Sequence, residues 1–75
     1  MESINELIIK GKKHLKEGHY NEALNLFEQA ILLNQKDPDL WNLKGVTLRS
    51  LGRYNEAIEC FNKSLEIDPR DKSAS

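Results

Sequence analysis

Apolar residues recur at helical intervals in four stretches of the chain, and polar or turn-forming residues separate each stretch from the next. Ile4, Leu7, Ile8, Gly11 and His14 with Leu15 recur at helical spacing, and Ser3 followed three residues later by Glu6 makes a capping box, so a first helix starts near residue 4. It stops near Glu17, because Gly18 suits the left-handed position after a helix end. Asn21 then offers a side-chain oxygen to the free amides of a second helix, with Glu22 at its positive end. Ala23, Phe27, Ala30 and Ile31 form its apolar stripe, which runs to about Asn34. Asp37 as cap and Pro38 in the first turn open a third helix carrying Leu40, Trp41, Gly45 and Leu48. Gly52, Asn55 and Glu56 repeat the earlier turn. Ala57, Ile58, Phe61 and Leu65 define a fourth helix, closed by Asp68-Pro69 because the residue before proline is pushed out of the helical region.

Two glycines, Gly11 and Gly45, fall inside these helices, where glycine costs roughly 1 kcal/mol relative to alanine. A close approach of neighbouring backbones at both positions is the expected compensation. Tyr20, Phe27, Tyr54 and Phe61 are expected to fill the space beside such small residues as core aromatics.

The four segments are two copies of one unit. At an offset of 34 residues, Lys10, Gly11, Gly18, Tyr20, Asn21, Glu22, Ala23, Phe27 and Asp37 recur as Lys44, Gly45, Gly52, Tyr54, Asn55, Glu56, Ala57, Phe61 and Asp71. The chain resembles the tetratricopeptide repeat family, whose period of about 34 residues carries W-x2-L-G-x2-Y, then A-x3-F, then P. The second copy holds Trp41, Gly45, Gly52, Tyr54, Ala57, Phe61 and Pro69 at those spacings, with Lys44 and Leu48 replacing the leucine and tyrosine of the first helix. The first copy departs further, with Leu7, Lys10, His14 and Gln35 in place of the tryptophan, leucine, tyrosine and proline.

The resemblance implies an all-α fold of two helix-turn-helix repeats, four antiparallel helices in one domain over residues 1–75. The first repeat would occupy residues 4–37 and the second 38–71, with the start of a third unit at 72–75. It also implies a protein-interaction module in which the first helix of each pair lines a concave groove for an extended or helical peptide. Matched repeat by repeat, the groove residues are Asn5, Ile8, Lys12, Leu15 and Lys16 from the first copy, and Asp39, Asn42, Val46, Arg49 and Ser50 from the second.

Charge gives this groove a sign. The whole chain has eleven basic and twelve acidic residues, a net charge of -1, which attracts neither nucleic acid nor anionic lipid globally. Within it, the first-of-pair helices carry six lysines or arginines against three acids, whereas the second-of-pair helices come to -4. A DNA-reading helix-turn-helix is disfavoured on the same count, because the helices that would enter the groove are acidic. The expected partner is therefore a protein or peptide, acidic in character, met by Lys12, Lys16 and Arg49.

With 75 residues, 39% hydrophobic and 31% charged, the chain fits one small helical domain. Its longest strictly apolar run, Ala30 to Leu33, is far short of the roughly 20 residues of a membrane span. The single cysteine, Cys60, cannot form an internal bridge and reads as an inert thiol, so a cytoplasmic location is expected. The glycines follow the repeat and make no phosphate-cradling loop. His14 and His19 lie five apart with a helix end between them, a spacing that does not put two histidines on one helical face. The chain is thus expected to be non-enzymatic, with no cofactor and no metal. A competing role is structural: repeat arrays bury apolar faces against neighbours, so Phe61, Leu65 and Ile67 at the end of this array would support a homodimer.

Overall fold

The computed structural model describes residues 2–69 and consists of four helices, α1 (Ile4–Glu17), α2 (Tyr20–Leu33), α3 (Pro38–Ser50) and α4 (Tyr54–Ile67). The start of a third unit at 72–75 lies outside the described residues. Two of the helix starts follow the caps expected of them. The Ser3 hydroxyl accepts from the Glu6 amide at 3.2 Å while the Ser3 amide donates to Glu6 Oε1 at 2.9 Å, closing the capping box. Asp37 accepts from the Asp39 amide at 2.9 Å with Pro38 in the first turn.

The other two starts correct the reading of Asn21 and Asn55 as caps. α2 begins at Tyr20 after His19, α4 begins at Tyr54 after Arg53, and neither start has a side-chain cap. The cause is the turn before them. Gly18 and Gly52 adopt φ of 85° and 80°. Around Gly18 the His19 amide donates to the His14 carbonyl at 2.8 Å, and the Gly18 amide to the Leu15 carbonyl at 3.2 Å. Arg53 to Leu48 (2.9 Å) and Gly52 to Arg49 (3.0 Å) repeat the pattern. This six-to-one and five-to-two pairing turns the chain straight into the next helix. Asn21 and Asn55 therefore already lie within the first turn. At α4 the Glu56 carboxylate grips Arg53 instead, at 2.6 Å from Nε and 2.8 Å from Nη2.

Packing runs through small residues in contact with rings. A Cβ on Gly11 would stand 2.5 Å from Phe27 Cε1, and one on Gly45 would stand 2.6 Å from Phe61 Cε1. The compensation for a mid-helix glycine is thus an aromatic ring seated on the helix, rather than the close approach of backbones expected from the sequence. Phe27, Ala23 and Ala30 are completely buried. One cluster joins Leu7 of α1, Ala30 and Ile31 of α2 and Leu40 of α3; a second joins Leu24, Leu48, Ala57 and Cys60 across α2, α3 and α4. Trp41 packs against both. α2 and α3 therefore form the seam between the hairpins.

Ile58 does not belong to the α4 core stripe, which consists of Ala57, Cys60 and Ser64, with Phe61 and Leu65 half-buried. Its equivalent in the first repeat, Leu24, is 7% exposed because α3 and α4 cover it; Ile58, on the last described helix, is 54% exposed. Phe61, Leu65 and Ile67, expected as the open strip, are only half-buried, and the exposed apolar side chains of α4 are Tyr54 and Ile58.

Candidate functional site

The candidate groove side chains occupy positions 5, 8, 12, 15 and 16 of α1 and 39, 42, 46, 49 and 50 of α3, spacings that keep each set on one helical face. Lys12, Asn42 and Val46 are brought together, with Asp39 and Leu43, around a shallow concavity of about 250 Å³. Asn5, Ile8, Leu15, Lys16 and Arg49 do not line it. Ile8 is half-buried against the Leu7 cluster, Leu15 is half-buried, and Asn5, Lys16 and Arg49 are exposed along the same helices.

The ion pairs sort the cations. Lys10 pairs with Glu2, and Lys44 reaches Glu28 of α2 at 3.5 Å, tying the hairpins together. Among the described residues no ion pair engages Lys12, Lys16 or Arg49. These three stay available to an outside anion, at an exposure where each pair is worth little alone and acts through the summed field.

On another part of the surface, Trp41, Lys44, Cys60 and Lys63 border a second concavity of about 270 Å³ with Glu28, Glu56 and Glu59. Lys44 Nζ and Lys63 Nζ lie 5.6 and 5.9 Å from the Trp41 ring centroid, within cation–π range. No periodicity or motif singled out this clustering; it depends on α2, α3 and α4 packing together. Burial pushes the Cys60 thiol up from its ordinary value, against a smaller downward pull from Lys44, which keeps it in the weakly nucleophilic protonated form at neutral pH.

His14 and His19 share no helical face, yet the turn between α1 and α2 brings them together. Their rings meet, centroids 5.5 Å apart and Nδ1 atoms at 3.3 Å, with the Glu17 carboxylate 3.6 Å from His19 Nδ1. This contact does not need a shared helical face, because His19 lies beyond the end of α1. A glycine-terminated helix end brings the residue four before the glycine against the residue just after it, and His14-x3-Gly18-His19 carried that signal in the sequence.

Two stacked helical hairpins, each with a glycine-terminated first helix and a ring seated on a mid-helix glycine, define a helical-repeat protein. Residues 38–71 match a family model described as Tetratricopeptide repeat, and residues 11–40 match a second model of the same description. The chain belongs to the tetratricopeptide repeat family. Members of this family generally serve as protein–protein interaction modules. Among curated proteins none matches the chain. No helix among the described residues is long and apolar enough to cross a membrane.

Proposed function

We propose that the chain is a binding module that takes an acidic peptide segment into the groove bordered by α1 and α3. The supporting observation is the concavity that Lys12 shares with Asn42 and Val46 from a different helix, together with Lys16 and Arg49 on the same two helices, all three cations being without an ion pair among the described residues. Lys12, Lys16 and Arg49 supply charge, Ile8, Leu15 and Val46 supply apolar contact, and Asn5 and Asn42 supply hydrogen-bonding groups. Replacing Lys12, Lys16 and Arg49 together by alanine weakens binding to Asp/Glu-rich peptides and flattens its salt dependence, because exposed charges are screened over about 8–10 Å. An unchanged affinity in a calorimetric titration refutes the groove reading.

A second reading is self-association through the outer face of α4, favoured by the contrast between buried Leu24 and its exposed equivalent Ile58. A symmetric dimer would cover Ile58 and Tyr54 at the centre and the half-buried Phe61, Leu65 and Ile67 around them. Sedimentation over a wide concentration range, on the native chain and on Ile58→Glu, distinguishes the two. Saturable peptide binding by a monomer supports the groove, and a mass that rises with concentration and is lost in Ile58→Glu supports the dimer.

A further inference from the structure

We propose that the turn between α1 and α2 is a transition-metal site, with the imidazoles of His14 and His19 and the carboxylate of Glu17 as ligands and a borderline divalent cation such as Zn2+ as occupant. The two Nδ1 atoms stand 3.3 Å apart, close enough for one ring to donate to the other, and a bound cation would take the place of that shared proton. Two nitrogens bound to Zn2+ at about 2.0–2.1 Å and at the tetrahedral angle are separated by about 3.3–3.4 Å. The pair is therefore already spaced as two corners of a zinc tetrahedron. One ligand atom from each of His14, Glu17 and His19 lies within 4.8 Å of the other two. Glu17 and His19 have side chains 45% and 56% exposed, so both can turn toward a shared ion, with the fourth position left to water.

The backbone holds the ligands in place. The bond from the His19 amide to the His14 carbonyl fixes the two residues against each other, and Gly18 at φ 85° makes that bond possible. Glu17 is the last residue of α1, where the negative end of the helix dipole favours a cation. The second repeat serves as an internal comparison. It builds the same turn with the same hydrogen bonds, yet has Leu48, Leu51 and Arg53 where the first has His14, Glu17 and His19. The turn thus forms without these side chains, so their meeting in the first repeat is not a requirement of the fold.

The donor set selects the metal. Two imidazoles and one carboxylate suit Zn2+, Cu2+ or Ni2+, whereas Ca2+ and Mg2+ need oxygen-rich shells. A bound ion would clip the end of α1 to the residue preceding α2, a cross-link that the second hairpin lacks.

Competition of the full chain against a chromophoric zinc chelator near neutral pH tests the site. One Zn2+ per chain is expected, undiminished by excess Ca2+. His14→Gln and His19→Arg, the latter taking the residue of the second repeat, should each lower Zn2+ affinity at least about tenfold, a loss that even outer partners of metal ligands produce. Circular dichroism without metal should show both variants as helical as the native chain. Nitrogen-15 spectra of the native imidazoles provide a readout independent of the variants. The chain has two histidines, and Zn2+ should shift the Nδ1 resonance of both. Equal zinc affinity in the native chain and both variants, or Nδ1 resonances that Zn2+ leaves in place, overturns the proposal. Binding that disappears in Cys60→Ser but survives both histidine changes also overturns it.

Discussion

Adding a single methyl group at Gly11 sets two known effects against each other. Alanine in a helix interior gains about 1 kcal/mol over glycine, and at an open position Gly11→Ala would stabilise α1. Here the new Cβ would lie 2.5, 2.9 and 3.0 Å from Cε1, Cδ1 and Cζ of Phe27, far inside van der Waals contact. Phe27 is completely buried, so its ring has no solvent-facing space into which to retreat. Overpacking of this kind costs about 1–3 kcal/mol, and against the gain in helix propensity the net expectation is a loss of up to about 2 kcal/mol. At Gly45 the contacts are almost identical, 2.6, 2.9 and 2.9 Å to Phe61, but Phe61 is half-buried and its ring can swing toward solvent. Gly45→Ala should therefore be close to neutral. Equilibrium urea unfolding followed by circular dichroism measures the difference, and in a domain of this size each kcal/mol moves the Tm by roughly 4–8 °C. Trimming the ring with Phe27→Leu should remove most of the penalty, so that the double variant loses less than the sum of the two single ones. A Gly11→Ala chain at least as stable as the native one would refute the reasoning, because helix propensity would then outweigh the ring contact.

Ser64 is buried at 1% exposure, and among the described residues its Oγ has no hydrogen-bond partner, whereas the equivalent residue of the first repeat is Ala30. Ser64→Ala removes an unsatisfied hydroxyl and improves helix propensity, so stability should rise by about 1 kcal/mol in the same unfolding assay, and a loss would count against the burial argument. Glu6 is held below its ordinary value of 4.5, first by the Ser3 amide and then by the Ser3 hydroxyl. A depressed folded-state value means that its contribution is present above the unfolded value and lost as pH falls through the folded one. Glu6→Gln, which keeps the acceptor oxygen, should accordingly flatten the decline of Tm below about pH 4.5, and matching acid limbs for the two chains would refute this.

The helices were legible where a local rule decides them. Ser3 with Glu6, Asp37 with Pro38 and Asp68 with Pro69 mark boundaries through bonds within a few residues, and α1, α3 and the end of α4 follow them. Asn21 and Asn55 misled because a cap preference yields to the glycine turn, whose own hydrogen bonds start the next helix a residue earlier. Ile58 misled for a different reason. Periodicity assigns a face to the residue, but exposure depends on whether another hairpin lies over that face, and Leu24 and Ile58 share a register with opposite surroundings. At the candidate groove, repeat matching located the residues and charge counting gave their sign. That Lys12 shares a concavity with Asn42 and Val46 while Leu15 and Arg49 lie outside it depends on how α1 and α3 are set against each other, which no linear pattern encodes.

Trp41 gives the molecule a built-in gauge of its own cooperativity. Its indole N–H donates to the Gln35 carbonyl at 2.9 Å, and its ring bears on both apolar clusters. In repeat arrays, stability divides into a term for each unit and a term for each junction. The only tryptophan of the chain reports on this junction together with the packing of α3 on α4, since parting the hairpins wets one side of the indole even while each stays helical. Emission and helical ellipticity that change together identify a chain governed by its seam, with the two hairpins standing or falling as one, whereas emission that shifts first identifies two units that outlive their contact.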